Sequence, residues 1–261
     1  MPEKEAIVGK MEPVIDSHAH LDELEDPDDA VAEAKEAGVS AVVAVGQDME
    51  SNRKTMEIAG RFPGYVFCAA GYHPWRITKE ETEATLAEID RDLKDCVALG
   101  EIGLDYKAKV KKKLQKEVFL QLLEIAATHN KPVIVHSRYS HETTHAMVKE
   151  RGLKKAVFHW YTGPLDILEA IVSDGYYVSA TPALLYNPYH SKAMAFAPLA
   201  SIVIETDTPV TYQGLSARPV HVRITLRELA RVKGVSEEEV ARETTLNAKR
   251  LYGLDQGQVT L

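Results

Sequence analysis

Eight short apolar segments, each followed by a helical segment, constrain the fold of this chain more than any other feature of its sequence. The predicted strands cover residues 14–16, 41–45, 65–70, 96–99, 132–135, 156–158, 176–179 and 202–204. Their apolar residues are continuous rather than alternating, which is typical of parallel strands that are covered on both faces. The helices between the strands are expected to pack on the sheet and bury it.

The predicted helices cover residues 28–37, 51–61, 80–92, 114–128, 142–150, 165–173, 191–197, 222–233 and 237–250. Eight β/α units in about 250 residues predict an α/β fold, a single (β/α)8 barrel of the TIM type, regular or distorted. An open doubly wound sheet is the alternative, but it would normally need only about five to seven strands at this length.

The sequence predicts one domain over residues 1–261, because no repeat, low-complexity segment or linker divides it. Residues 1–11 are interpreted as an N-terminal extension and residues 255–261 as a loose tail. No apolar segment approaches the roughly 20 residues of a membrane span, and the N-terminus lacks the apolar core of a signal peptide. With only two cysteines, Cys68 and Cys96, a reducing compartment is expected. We therefore expect a cytoplasmic protein without membrane contact. The sequence is compatible with a monomer but does not determine the oligomeric state.

The charge balance limits the ways in which this chain could bind nucleic acid. There are 39 Asp and Glu residues against 31 Lys and Arg residues, which gives a formal net charge of −8. Non-specific binding along a nucleic-acid backbone relies on clustered cations. Six lysines do cluster, at positions 107, 109, 111, 112, 113 and 116. We interpret this run as a solvated loop and helix start, and a local pocket for one phosphate stays compatible with the acidic total.

Polar residues follow the predicted strands, where a barrel of this type places its active site. The segments are DSHAH at 16–20, GYHP at 71–74, GEIGLD at 100–105, HSR at 136–138, HWYTG at 159–163 and ETDTP at 205–209. Five of the ten histidines of the chain fall in these segments. We expect their side chains to converge on one mouth of the barrel.

The pair His18 and His20 is the first indication of a metal site, since strand alternation directs both rings to one face, about 7 Å apart along the chain. Two such imidazoles can bind one metal ion at about 2.1 Å. The same mouth is predicted to hold His136, His159, Glu101 and Asp207. Burial of so many titratable groups without a cation is unfavourable, and the set fits two divalent ions. The mixed imidazole and carboxylate shell favours Zn or Mn over Mg.

The sequence resembles the TatD family of metal-dependent hydrolases, within the amidohydrolase-like barrels. The resemblance is carried by IDSHAHLD at 15–22, GYHPW at 71–75, GEIGLDY at 100–106, PVIVHSR at 132–138, FHWYTG at 158–163, ETDTP at 205–209 and NA at 247–248. These segments are collinear and span residues 14–254. The resemblance implies that His18 and His20 bind one metal, that Glu101 bridges two, and that His136 and His159 bind the second. It also implies that Asp207 contacts the first metal and the attacking water.

The chain departs from the usual family pattern beside the predicted ligands. Tyr139 and Ser140 follow Arg138, where the family usually has Asp-Ala. Trp160 and Tyr161 follow His159, where the family usually has a small residue and Phe. The segment 212–215, ahead of an Arg-Pro pair at 218–219, is also unusual. We expect these positions to lie where the substrate rests.

The leading functional hypothesis is a phosphoesterase or deoxyribonuclease that uses water activated by two metal ions. Asp207 is the predicted catalytic base. His73 and Arg138 are surplus to metal binding and are predicted to bind the phosphate, Arg138 bidentately. The structural alternative for Arg138 is an ion pair with Glu101, Glu205 or Asp207. His73, which precedes Pro74, has a purely structural role as its alternative. The expected partner is a small phosphoester or the end of a nucleic-acid chain.

Two other hypotheses remain open from the sequence. The same metal centre could act on an amide, a cyclic amide or a lactone, which would need no cation for a phosphate. A noncatalytic binding protein that kept a barrel is the third hypothesis, although degenerate ligands would be its signature and all six are retained.

Several further residues carry weaker expectations. Glu205 is interpreted as support for the ligands rather than as a ligand. The histidines at positions 141, 145 and 190 lie near predicted helix starts. Surface placement is expected for them, and a position lining the mouth is the alternative. The two cysteines are interpreted as small buried apolar residues. Trp75 and Trp160 are expected to wall the pocket or to stack on a base or sugar.

Overall fold

The computed structural model describes residues 12–254, in which eight parallel strands form a sheet in chain order. The strands are Val14–Ala19 (β1), Val39–Val45 (β2), Val66–Ala70 (β3), Ala98–Asp105 (β4), Val133–Arg138 (β5), Ala156–Phe158 (β6), Tyr177–Ala180 (β7) and Ile202–Ile204 (β8). The predicted (β/α)8 barrel is therefore confirmed. The predicted extension at 1–11 and the predicted tail at 255–261 lie outside the described residues.

Nine α-helices cover the sheet over the described residues. They are Pro27–Glu36 (α1), Met49–Arg61 (α2), Lys79–Asp92 (α3), Lys112–Thr128 (α4), His141–Glu150 (α5), Leu165–Ser173 (α6), Pro188–Phe196 (α7), Val222–Lys233 (α8) and Glu237–Tyr252 (α9). A two-stranded hairpin of Thr211–Tyr212 (β9) and Leu215–Ser216 (β10) follows β8. Helix α7 begins three residues before its predicted start, because the side chain of Asn187 caps the backbone N–H groups of Tyr189 and His190. Along residues 12–254, none of these helices is both long and apolar enough to cross a lipid bilayer.

Side-chain alternation along the strands separates two apolar layers. Ala41, Val43 and Val45 of β2 belong to a cluster that also contains Leu251 of α9, whereas the intervening residues of β2 pack with the surrounding helices. The cluster of Ala41, Val43 and Val45 fills the inside of the barrel. The cluster that contains the intervening residues of β2 joins the barrel to its helical layer. Both layers are buried, as the continuous apolar strands predicted.

The ends of the sheet meet beyond β8 and bring the first and last strands together. The backbone N–H of His20 donates to the carbonyl of Thr208 at 2.8 Å, and the N–H of Asp207 donates to the carbonyl of His18 at 3.0 Å. An isolated parallel bridge between Ala19 and Thr208 lies at the same point. This closure places His18 and Asp207 side by side although they are far apart in sequence.

Strands β1, β4 and β5 continue beyond their predicted ends, to Ala19, Asp105 and Arg138. The predicted ends followed the loss of apolar residues, but backbone pairing does not require apolar side chains. Asp105 pairs with Arg138 in the register of β4 and β5, for example. The corresponding boundaries were wrong, and polar residues expected in the following loops lie on the strands themselves.

Gly103 shows why glycine is needed in the continuation of β4. Its φ is +146°, and a Cβ at this position would lie 2.0 Å from the carbonyl oxygen of His136. We expect Gly103→Ala to lower the free energy of unfolding by roughly 2 kcal/mol or more and to displace His136. Urea unfolding measures the first effect. Gly60→Ala, in an exposed turn of α2 with no atom within 4 Å of the new Cβ, is the matched control and should not destabilise. Equal stability of both variants would contradict the expectation.

Two histidines expected at the surface are buried instead. The ring of His190 is fully buried, and it bonds the carbonyl of Tyr161 at 2.9 Å and the N–H of Thr181 at 3.1 Å. His145 is also buried and lies 2.8 Å from Asp174. The expectation was wrong because both rings satisfy loop or helix-end groups that the sequence does not place beside them. Burial lowers the pKa of His190 to about 4, so its ring is neutral at pH 7.

Candidate metal centre

The predicted site residues meet at one cavity of about 720 Å³ at the carboxyl ends of the strands. Seven of the eight line it: His20, His73, Glu101, His136, Arg138, His159 and Asp207. The eighth, His18, is fully buried directly behind, with its Nε2 atom 3.2 Å from Nε2 of His20. The structure therefore brings together every residue that the sequence assigned to this mouth.

Four atoms form a first group of potential metal ligands: Nε2 of His18, Nε2 of His20, Oε2 of Glu101 and Oδ1 of Asp207. Five of their six mutual separations are 3.2–3.6 Å. Ligands held at about 2.1 Å in a tetrahedron are about 3.4 Å apart. The donor atoms of His18, His20 and Glu101 can therefore hold one divalent ion, and Oδ1 of Asp207 lies 3.5 Å from Nε2 of both rings.

A second group surrounds the other oxygen of the same carboxylate. Oε1 of Glu101 lies 2.7 Å from Nδ1 of His136, 2.8 Å from Nε2 of His159 and 3.3 Å from Nε2 of His73. The nitrogens of His136 and His159 are 3.4 Å apart. The two shorter distances are hydrogen-bond lengths, so a cation here would replace ring protons. Glu101 thus presents one oxygen to each of two separate groups of nitrogens.

The outer ring nitrogens of His20 and His136 face fixed acceptors, and that of His159 lies near a carboxylate without a hydrogen bond. Nδ1 of His20 lies 2.8 Å from the carbonyl of Val45, and Nε2 of His136 lies 3.2 Å from Oδ2 of Asp105. Nδ1 of His159 lies 3.4 Å from Oε1 of Glu205, without hydrogen-bond geometry. A ring that donates outward presents its lone pair inward, which is the usual arrangement of metal-binding histidines. Glu205 lies beside the outer nitrogen of His159, and its supporting role stays a prediction.

The carboxylates and imidazoles hold one another in charged forms. Burial would raise the pKa of Glu101, but the facing rings of His159, His73 and His136 hold it well below its usual range. Burial would lower the pKa of His20, but Asp207 and Glu101 raise it well above its usual range. A buried carboxylate surrounded by imidazoles is favoured in its ionised form when positive charge lies around it, and protons or metal ions can supply that charge.

Asp207 is held in a left-handed backbone conformation with φ of +52°. Such a conformation costs about 1–3 kcal/mol in a residue other than glycine and is concentrated at functional sites. The carboxylate of Asp16 supports the same turn, accepting hydrogen bonds from the backbone N–H and the hydroxyl of Thr206 at 2.9 and 2.6 Å. Histidines lower the pKa of Asp207 against the effect of burial, so its carboxylate is ionised.

His73 lies deeper than a residue of the rim, with 2% of its surface exposed. Its Nδ1 accepts a hydrogen bond from the backbone N–H of Trp75 at 3.1 Å, which leaves the proton on Nε2. Burial lowers the pKa of His73 to about 4. His73 therefore offers a neutral N–H to the cavity, and the positive charge of the predicted phosphate pair belongs to Arg138.

Arg138 lies at the rim with 53% of its side chain exposed, and its nearest carboxylate is Asp105 at 3.9 Å. None of the three ion pairs considered from the sequence forms. Asp105 itself was missed as a site residue, although it follows Glu101 by four positions. Its carboxylate also accepts a 2.6 Å hydrogen bond from the indole of Trp75. The available signal was a second acidic residue in the segment GEIGLD, which follows the predicted strand.

The residues that differ from the family pattern do not all reach the cavity. Trp160 lines the cavity and packs against Tyr212 with ring centroids 5.5 Å apart. Tyr161 is buried, and its hydroxyl donates to the carbonyl of Pro164 at 2.7 Å, so it does not reach the cavity. Tyr139 is 66% exposed and is not among the residues that line the cavity. Of these three residues, only Trp160 lies where the substrate was expected to rest.

Comparison with known proteins finds relatives and solved structures that match most of this chain. The human protein named deoxyribonuclease TATDN3 is 31% identical over 258 residues, covering 92% of this chain and 94% of its own. The uncharacterized metal-dependent hydrolase YabD of Bacillus subtilis is 31% identical over 256 residues, covering 93% and 100%. The crystal structure of YJJV, a TatD homolog from Escherichia coli k12, matches with a TM-score of 0.83 at 25% identity, covering 92% of this chain and 98% of that one. The family model described as TatD related DNase matches residues 15–253, and this chain belongs to that family.

Proposed function

We propose that this chain hydrolyses phosphodiester bonds, in a small phosphoester or at the end of a nucleic-acid chain, with two divalent ions bound at the mouth of the barrel. Membership of the TatD family makes the chain a metal-dependent hydrolase. The proposal adds the number of ions and the substrate class. Zn or Mn is favoured over Mg because four of the six proposed ligand residues are histidines.

One observation carries the proposal: the two oxygens of Glu101 face two different groups of nitrogens. The first ion would be held by His18, His20, Glu101 and Asp207, and the second by Glu101, His136 and His159. When bound, such a pair of ions supplies Lewis acidity and a water of lowered pKa. The carboxylate of Asp207, ionised and fixed at its turn, accepts the proton of the attacking water.

The remaining residues bind and orient the substrate. The guanidinium of Arg138 binds the phosphate of the substrate at the rim, because a phosphate can accept two parallel hydrogen bonds from it. The neutral N–H of His73 is a further donor inside the cavity. Asp105 holds the ring of His136 and the indole of Trp75, so it fixes one proposed ligand and one wall together.

A substrate panel tests the proposed function directly. Protein stripped of metal and then loaded with Zn or Mn would be assayed on a dinucleotide, a phosphomonoester, a lactone and a cyclic amide. We expect turnover of the dinucleotide that depends on added metal. Cleavage of the lactone or the cyclic amide without any phosphoester turnover would contradict the proposal and favour the amidohydrolase hypothesis.

Arg138→Ala should lower kcat/KM for a dinucleotide by about 10- to 100-fold. A charge-assisted hydrogen bond contributes about 1.5–3 kcal/mol, and about 1.4 kcal/mol corresponds to one decade. Arg138→Lys should recover part of the loss, because lysine keeps the charge but not the planar fork. Steady-state kinetics and metal analysis measure both effects, and the metal content should not change. Unaltered dinucleotide turnover in Arg138→Ala would show that this residue does not bind the phosphate.

A further inference from the structure

A run of lysines lies on the same face of the barrel as the cavity and has no role in the chemistry described above. The lysines occupy positions 107, 109, 111, 112, 113 and 116, and all six are exposed. They belong to the loop after β4 and the first turns of α4. Since each helix of a (β/α)8 barrel begins at the carboxyl ends of the strands, this run is on the catalytic side of the molecule.

The run is continuous with the rim of the cavity. The backbone N–H of Tyr106 donates to the carbonyl of Arg138 at 2.9 Å, directly where β4 and β5 end side by side. The ammonium group of Lys107 lies over the exposed ring of Tyr139, 5.0 Å from its centroid. The first lysine of the run, Lys107, is therefore next in sequence to Tyr106, which bonds Arg138, and contacts Tyr139, the residue after Arg138.

A second cavity, of about 590 Å³, opens within this region. It is lined by Tyr106, Lys112, Lys113, Lys116, Glu117 and Thr143, and we call it the lysine groove. Thr143 belongs to α5, so the groove lies between the starts of two neighbouring helices. The ammonium of Lys112 lies 4.3 Å from the centroid of the Tyr106 ring. The groove thus combines clustered cations with an aromatic ring.

The stability of the fold does not account for these lysines. The first turn of α4 contains no acidic residue, and cations at a helix N-terminus are unfavourable because they face the positive end of the helix dipole. Among the described residues, the one carboxylate within ion-pair distance of the run is Glu117, 3.8 Å from Lys113 and exposed. A cluster of six lysines with one exposed ion pair, placed at the unfavourable end of its helix in a chain of net charge −8, points to an anionic partner.

We propose that the lysine groove binds the phosphate backbone of a single-stranded nucleic acid whose end occupies the catalytic cavity. This inference rests on the proposed phosphodiesterase function. Lysine charge tracks a backbone without reading its sequence, and aromatic rings beside it provide faces on which unpaired bases stack. Tyr106 and Tyr139 supply those faces along the path from the rim to the groove.

The test compares a long and a short substrate in the full-length, metal-loaded protein. The substrates are a single-stranded oligonucleotide of about twelve nucleotides and a dinucleotide that fills the catalytic cavity alone. Lys113→Ala combined with Lys116→Ala removes two charges from the groove and leaves the Lys112–Tyr106 contact. The matched control is Lys94→Ala combined with Lys154→Ala, two exposed lysines that precede β4 and β6 at the opposite end of the barrel.

We expect the groove variant to lose roughly 10-fold or more in kcat/KM for the oligonucleotide at low salt, and less than about two-fold for the dinucleotide. The slope of log kcat/KM against log salt should become shallower by about 1.4, or about 0.7 for each lost phosphate contact. The control variant should match the parent with both substrates. An equal response of both substrates, or an unchanged salt slope, would overturn the proposal.

Binding separates a failure of this inference from a failure of the proposed function. If the parent hydrolyses neither substrate, the proposed function fails, but fluorescence anisotropy with the labelled oligonucleotide still tests the groove. Weaker binding by the groove variant than by the control variant would support it, and equal binding would overturn it. Tighter binding of poly-glutamate than of the oligonucleotide at equal salt would also overturn it, in favour of an acidic protein partner.

Discussion

Glu101→Gln is expected to lower turnover by at least about 10³-fold, which corresponds to about 4 kcal/mol of transition-state stabilisation. Each oxygen of this carboxylate faces a separate group of imidazole nitrogens. An amide retains one oxygen and replaces the other with an NH₂ group, which has no lone pair for a metal ion. At least one of the two proposed ions should therefore be lost. Metal analysis of the purified variant and its turnover of a dinucleotide measure the two effects.

Glu205→Gln is the matched control, because Glu205 is also a buried glutamate at the end of a strand. It faces the outer nitrogen of His159 rather than the inner donor group. Loss of such a supporting group typically costs about 10- to 100-fold in metal affinity or activity, so this variant should keep both ions at saturating metal. Retention of two tightly bound ions by Glu101→Gln would contradict the bridging role.

Asp207→Asn is expected to lower turnover by about 10²- to 10⁴-fold while leaving the fold and most metal binding intact. The amide keeps the shape of the side chain but cannot accept a proton from water. Asparagine is the suitable replacement because it tolerates the left-handed conformation of position 207, so the backbone should not change. Pre-steady-state kinetics with a dinucleotide, together with thermal unfolding, would separate loss of chemistry from loss of structure. Turnover within a few-fold of the parent would exclude Asp207 as the base.

The sequence predicted the architecture well because strands and helices alternate with clear differences in length and polarity. It also predicted which side chains converge, since the carboxyl ends of parallel strands meet at one face. His18 and Asp207 are an example, because the order of the strands alone makes β1 and β8 neighbours. The boundaries of β4 and β5 were less accurate, because their last residues are polar but still paired.

Other features depend on three-dimensional contacts that no local pattern encodes. His136 directs Nδ1 toward Glu101 because Asp105 holds its Nε2, and the sequence does not specify which nitrogen faces inward. His73 packs against the ring of His136, which is remote in sequence, with ring centroids 4.5 Å apart. The burial of His190 depends on Tyr161, which lies on a different loop. Each of these outcomes depends on a partner that is remote in sequence or on a specific rotamer.

Anomalous diffraction from a crystal soaked in Mn²⁺ or Zn²⁺ tests the central claim, a pair of ions bridged by Glu101, most directly. We expect two anomalous peaks on opposite sides of this carboxylate. One should lie at the centre of the group formed by His18, His20 and Asp207, and the other beside the inner nitrogens of His136 and His159. A single peak at saturating metal, or peaks that do not contact Glu101, would contradict the two-metal centre proposed for this chain.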